Sequence, residues 1–292
     1  ARADQGWRGP DGRMLPFATD DELLDFLRTA EVVESEDIPV GITKPLKLVL
    51  EKDGVRARAA FRYEEVERKD VSIEGRHYRR FRDSCRFECA AYRLARLLGL
   101  DRVPPTAKRK FQGRSGSVQI WVEGSLDEEG KDFRPPNPLA YVQQTWDQDF
   151  FDNLVFNVDR NSTNIVVDES YKLWLIDHTR AFQPVPVRLD AERVTRINRT
   201  MWTRLMEMDE DALKEAVGPY LDGEEVMCLA RRRELLLEHV EALVAERGEG
   251  VFYCGVQVAR IDPPGRKRRR SLFLRKIQQL PSPRRRIICS DR

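Results

Sequence analysis

The stretch Asn157-Val-Asp159-Arg160-Asn161-Ser-Thr-Asn164-Ile-Val-Val-Asp168-Glu-Ser-Tyr-Lys-Leu-Trp-Leu-Ile-Asp177-His178 decides how this sequence is read. Two short apolar runs, Ile165 to Val167 and Lys172 to Ile176, flank a polar turn near Asp168 to Tyr171, a pattern that predicts a β-hairpin. A hairpin brings its two ends side by side, so Asn164 and Asp177 are expected to point into one small volume. Asparagine and aspartate oxygens suit Mg²⁺, which keeps several waters and takes further ligands from nucleotide phosphates. Asp159, five residues before Asn164, sits on the loop entering the hairpin, close enough to orient or deprotonate an attacking hydroxyl. Taken alone, these Asp and Asn residues read first as ordinary strand ends and turn formers.

Upstream, Thr19 or Asp20 caps an amphipathic helix carrying Leu23, Leu24, Phe26 and Leu27. The runs Leu46 to Glu51 and Val55 to Arg62, joined through Asp53-Gly54, predict a hairpin. A charged stretch follows, then a helix from Asp83 to Leu98 with Phe87, Ala90, Ala91, Leu94 and Leu97 inward, stopped by Gly99. Ser117 to Glu123 reads as a strand and Gly124 to Pro138 as a loop. Residues 139–156 read as a buried helix through Leu139, Val142, Trp146, Phe150 and Leu154, and Asp190 to Arg247 as helical with a break at Leu221-Asp222-Gly223. The order is a mostly β first half followed by a mostly helical second half.

The D-x4-N spacing, the apolar strand and the closing Ile176-Asp177 resemble the core of protein-kinase-like enzymes, and Asp159-Arg160 with Ile176-Asp177 looks most like the HipA and phosphatidylinositol 3/4-kinase branch. The resemblance spans roughly residues 39–250. It implies an α+β, two-lobed fold: an N-terminal extension with one helix (1–36), a mostly antiparallel β N-lobe with one helix that binds nucleotide (37–123), a mostly helical catalytic C-lobe (124–258) and a basic tail (259–292). It also implies an Mg-ATP-dependent phosphotransferase in which Asp159 is catalytic while Asn164 and Asp177 bind magnesium. The branch often has histidine where Asn161 stands, and typical kinases have Phe-Gly in place of His178-Thr179.

The rest of the expected nucleotide site follows from the same resemblance. Gly41, in Gly41-Ile-Thr-Lys-Pro, would let backbone N–H groups approach phosphate. Arg62 stands where the family has a lysine, with Lys47 on the preceding strand as an alternative cation and Glu88 as the partner of either. Gln119, Trp121 and Val122 lie on the strand whose main chain would meet adenine. His178 is read as a hydrogen-bonded neighbour of carboxylates.

The chain has 292 residues with a net charge of +2, which conceals a basic segment from Arg260 to Arg292 behind an acidic body. That tail suggests contact with nucleic acid or an anionic membrane, or an out-of-frame or non-native terminus. Apolar runs such as Leu46 to Leu50 are too short to cross a bilayer. The chain opens Ala1-Arg2-Ala3-Asp4 without methionine, so a removed leader or an upstream continuation is expected. Cys85, Cys89, Cys228, Cys254 and Cys289 lack a disulfide-framework spacing, which favours reduced thiols and the cytoplasm. The expected partners are ATP, Mg²⁺ and a hydroxyl acceptor on a protein, lipid or small molecule. The alternative is a kinase-fold nucleotide-binding scaffold that has lost transfer.

Overall fold

The computed structural model describes residues 6–38, 45–73, 75–126, 133–185 and 189–254. Gly41 and the tail beyond residue 254 therefore lie outside the described residues. The elements are α1 (Asp20–Thr29), β1 (Glu31–Asp37), β2 (Leu46–Lys52), β3 (Val55–Arg62), β4 (Glu65–Ile73), β5 (Arg76–Ser84), α2 (Arg86–Leu98), β6 (Thr106–Phe111), β7 (Arg114–Ile120), α3 (Pro138–Val155), β8 (Ile165–Val167), β9 (Leu173–Leu175), β10 (Ile197–Asn198), α4 (Arg199–Glu207), α5 (Glu210–Val217), α6 (Gly223–Arg247) and β11 (Phe252–Tyr253). The fold is mixed α+β, as expected.

A five-stranded antiparallel sheet in the order β1-β2-β3-β7-β6 occupies the first half. Register sorts its side chains. Leu46, Phe61, Val118 and Ala107 lie directly across from one another and are buried in one core with Leu23, Leu24, Phe26 and Leu27 of α1. One residue along, the opposite face carries a polar row of Glu36, Lys47, Ala60, Gln119 and Thr106 in register across the whole sheet. Arg62 is two residues beyond Ala60 on β3 and so shares that polar face. The strands pack closely here: a Cβ on Gly116 of β7 would stand 2.2 Å from the Arg62 carbonyl oxygen. Glycine lets β7 approach the end of β3.

Four strands of the first half were not expected. β1 carries Glu31, Glu34, Glu36 and Asp37 and is exposed along nearly its whole length, so an edge strand guarded by charge hides its own alternation. β6 follows Pro104-Pro105 directly. The β4–β5 hairpin forms from the charged stretch because its charges are paired, with Arg80 and Arg82 reaching Glu67, Asp222, Glu224 and Glu225 around the start of α6. Its apolar residues Val71, Ile73, Tyr78 and Phe81 pack with Phe156, Val158 and Val185. The hairpin thus braces the loop that carries Asp159.

Other boundaries shift. Asp83 and Ser84 end β5, and α2 begins at Arg86. Its expected stop is correct: Gly99 adopts φ 73° and donates to Ala95 and Arg96. Leu97 is 39 % exposed while Leu98 is buried, so the inward face is rotated by one position. The strand expected to reach Glu123 stops at Ile120. In α3 the expected inward residues Leu139 and Val142 are 60 % and 40 % exposed, and the buried side instead includes Gln143, Gln144, Asp147, Gln148 and Asn153 beside Phe150 and Phe151. α3 is buried through polar groups because it holds the β8–β9 hairpin and the loop before it, as described below. Cys85, Cys89 and Cys228 carry free thiols, as expected, whereas Cys254 is disulfide-bonded. Among the described residues, no helix is long and apolar enough to cross a membrane.

Candidate active site

The decisive hairpin forms where the sequence places it. β8 and β9 pair antiparallel with Ile165 opposite Leu175 and Val167 opposite Leu173. Its turn is organised by Asp168: Oδ1 accepts from the Ser170 and Lys172 amides at 2.8 and 3.1 Å, and Oδ2 accepts from the Trp174 indole at 2.9 Å. Gln144 of α3 clamps the second strand, donating to the Tyr171 carbonyl and accepting from the Leu173 amide, both at 2.9 Å. Those bonds are why α3 buries glutamine.

At the feet of the hairpin, the Ile176 amide donates to the Asn164 carbonyl at 3.2 Å. Arg160 closes the arrangement. Its Nη1 donates to the carbonyls of Asn164 (2.5 Å) and Ile176 (2.7 Å), while Nε and Nη2 form a two-pronged pair with Asp152 at 2.9 and 3.2 Å. Asp152 comes from the last turn of α3. Asn164 donates its side-chain amide to the Asp159 carbonyl at 2.8 Å, which fixes loop and hairpin together through Nδ2 and not through Oδ1. Asp177 sits in the left-handed region at φ 56°, a turn that aspartate tolerates, and accepts from the Thr179 hydroxyl at 3.0 Å.

The sheet supplies the other half of the site. Arg62 Nε lies 3.4 Å from Glu88 Oε1, and Arg62 Nη2 lies 3.7 Å from Asp177 Oδ2. Glu88 is wholly buried and Arg62 nearly so. Burial works against the Arg62 charge, but Glu88 and Asp177 outweigh it and hold Arg62 above the usual arginine range. His178, wholly buried, has Nδ1 at 3.6 Å from Glu88 Oε2 and Nε2 at 3.0 Å from Arg160. Because guanidinium can only donate, His178 Nε2 accepts and Nδ1 carries the proton towards Glu88. A continuous chain of polar contacts, Asp152–Arg160–His178–Glu88–Arg62–Asp177, therefore joins α3, the hairpin, α2 and β3.

Not every expected residue joins this centre in the same way. Glu88 meets Arg62, not Lys47: Lys47 pairs with Glu36 at 2.8 Å and lies over the Trp121 ring at 5.5 Å. Gln119 donates to Thr106 at 2.9 Å and reaches Glu88 at 3.5 Å, so it borders the pair. The Trp121 amide is already bonded to the Arg58 carbonyl at 2.9 Å, and Val122 follows it outside the strand. Spacing did not reveal Asp152 and Arg160 in these roles, although the adjacency of Arg160 to Asp159 was an available signal; His178 stands beside the Glu88 carboxylate, as its reading expected.

The acid behaviour of Glu88 yields a prediction. Burial pushes its pKa up, yet Arg62 and His178 outweigh burial and bring it down to about 2. A carboxylate depressed in the folded state adds stability that is present above its unfolded value, about 4.3, and is lost as pH falls through the folded one. Glu88→Gln is expected to lower stability by about 3 kcal/mol at pH 7. In urea titrations the gap from wild type should narrow between about pH 4.3 and 2. An equal gap at both ends of that window contradicts the pairing.

Comparison with known proteins bears on the fold. The chain is similar to hydra Fam20 solved with sugar, at a TM-score of 0.60 and 16% identity, covering 81% of this chain and 93% of that one. It is also similar to the Golgi casein kinase, at 0.57 and 16%, covering 79% and 76%, and to that kinase with Mn/ADP bound, at 0.56 and 15%, covering 81% and 78%. No family model matches the sequence. No curated protein matches it either. The kinase-like fold expected from Asp159, Asn164 and Asp177 is thus the fold this chain has.

Proposed function

We propose that this protein is an Mg-ATP-dependent phosphotransferase of atypical-kinase type, two-lobed, with residues 37–123 on the nucleotide side and 124–258 on the catalytic side. The observation that carries the reading is the Arg160-closed foot of the β8–β9 hairpin, whose Asp177 lies against the Arg62–Glu88 pair. The likeness to a Golgi casein kinase with Mn/ADP bound supports nucleotide and a divalent metal as ligands. The pairing of Asp159-Arg160 with Ile176-Asp177 supports a HipA- or phosphatidylinositol 3/4-kinase-like relation.

The residues fit Mg²⁺. Among the described residues no three His, Cys, Asp or Glu side chains are grouped to hold a metal unaided. An asparagine oxygen and one carboxylate are what an ion needs when waters and phosphates complete its shell. Bound there, Mg²⁺ would neutralise charge on the phosphates. Asn164 and Asp177 would hold it, Arg62 would meet phosphate under the control of Glu88, and Gln119, Lys47, Trp121 and Val122 would border the nucleotide. Asp159 orients the acceptor hydroxyl, whose carrier is a protein, a lipid or a small molecule. Positioning and charge neutralisation provide most of the rate.

Arg62 makes a second reading specific. An arginine pinned between two carboxylates is a longer and flatter cation than lysine, and a chain that binds nucleotide without transferring phosphate would be a scaffold. The test is ATP consumption by the full chain with and without Mg²⁺. Magnesium-dependent turnover supports the phosphotransferase, binding without turnover supports the scaffold, and no binding removes both.

A further inference from the structure

Beside Asp159 lies a cation that none of the roles above uses. Arg180 Nη1 is 3.4 Å from Asp159 Oδ2, and Arg180 Nε donates to Asp83 Oδ2 at 2.9 Å. Its side chain is one-quarter exposed, so it is anchored at one end and open at the other. Among the described residues its Nη groups make no hydrogen bond; burial works against its charge, but Asp83, Asp159 and Asp177 outweigh burial and hold it above the usual arginine range. Arginine carries five N–H donors in a planar fork that matches phosphate oxygens.

The anchor is itself rigid. The Ser84 amide donates to the Thr179 carbonyl at 2.8 Å, and Gln183, wholly buried, accepts from the Arg82 amide at 2.9 Å and donates to the Arg82 carbonyl at 2.5 Å. The end of β5 is stitched to residues 179–183 along these contacts. Arg180 is therefore held at the point where Asp159 would receive an acceptor, by a backbone that does not depend on nucleotide. An exposed guanidinium held only by a surface carboxylate would lose its place to side-chain entropy; this one is fixed from the strand side.

Resting on the phosphotransferase reading, we propose that Arg180 is an arginine supplied from within the chain to the phosphoryl group in transit, its Nη donors pairing with the equatorial oxygens while Nε stays on Asp83. In the step, the bond between the γ-phosphorus and the bridging oxygen of ADP breaks. The acceptor oxygen bonds to phosphorus, and the hydroxyl proton passes to Asp159. The negative charge of the transferred group is spread over its three equatorial oxygens, and Arg180 stands beside Asp159, where the acceptor would lie. An arginine in such a position is worth about 10³-fold or more in rate elsewhere. It acts on the transition state and not on bound ADP, which separates it from Arg62.

The test measures binding. Full-length protein is titrated with MgADP, and then with MgADP in the presence of aluminium and fluoride, which mimics the phosphoryl in transit. Wild type should bind the second mixture more tightly. Arg180→Gln should bind MgADP like wild type and lose at least about 100-fold of the tightening. If that variant does not fold, Arg180→Lys replaces it, because an ammonium holding Asp83 has no second donor arm to offer; the same loss is expected. Tightening equal to wild type in either folded variant overturns the proposal. A wild type that binds MgADP without tightening also overturns it and leaves the nucleotide site standing, whereas a wild type that binds no MgADP overturns the phosphotransferase reading first.

Discussion

Replacing Arg160 by methionine is expected to cost about 4 kcal/mol of stability and to reduce phosphate transfer to background. The side chain is nearly buried, and its loss would strand Asp152, itself only 11 % exposed, without a counter-charge. The carbonyls of Asn164 and Ile176 would lose their shared donor, and His178 would lose the partner that sets its tautomer. Each of these groups is worth little while paired and much when left unpaired in the interior, so the penalty comes from what remains and not from the charge removed. Urea unfolding should show a lower midpoint with an unchanged slope. The double variant Arg160→Met, Asp152→Leu should recover part of the loss, because it removes the stranded charge as well. A loss below about 1 kcal/mol would mean that the feet of the hairpin hold together without Arg160.

Asp159→Asn is expected to lower turnover by about 10³-fold while MgADP binding stays within a factor of two of wild type. The two effects separate because Asp159 contributes different groups to different tasks. Its carbonyl accepts the Asn164 amide, a bond that asparagine at position 159 preserves, and its carboxylate faces Arg180. Asparagine keeps the shape but can neither accept a proton fully nor hold the hydroxyl as an anion would. Single-turnover rates together with nucleotide titration check the split. Turnover within threefold of wild type would remove Asp159 from the reaction, and a parallel fall in nucleotide affinity would make its role structural.

The hairpin and its two feet were legible because everything that specifies them is local. Two short apolar runs, a turn built on Asp168, and polar residues at fixed offsets are encoded within about twenty positions. The stop of α2 at Gly99 was legible for the same reason, since a left-handed terminal residue needs no partner far along the chain. What stayed hidden depends on distant pairing. The strands β4 and β5 read as a solvated charged stretch because nothing nearby shows that Arg80 and Arg82 are matched by Asp222, Glu224 and Glu225 at the start of α6. The inward face of α3 was misread because Gln144 and Asp152 count as outward residues until Leu173 and Arg160 are placed against them. Arg62, Glu88 and Asp177 were each expected at the site by resemblance, but the contact of Arg62 with both carboxylates, and the link through His178 to Arg160, arises from three elements meeting at the polar face of the sheet.

The most direct measurement is calorimetric titration of the full chain with ADP, with and without Mg²⁺, for wild type and for Asp177→Asn. Asparagine tolerates the left-handed backbone at position 177, so the variant should fold, as its thermal unfolding would verify. Wild type is expected to bind ADP at least about tenfold more tightly when Mg²⁺ is present, and Asp177→Asn to lose this dependence. Magnesium-dependent binding that is equally strong in the folded Asp177→Asn variant would contradict that expectation.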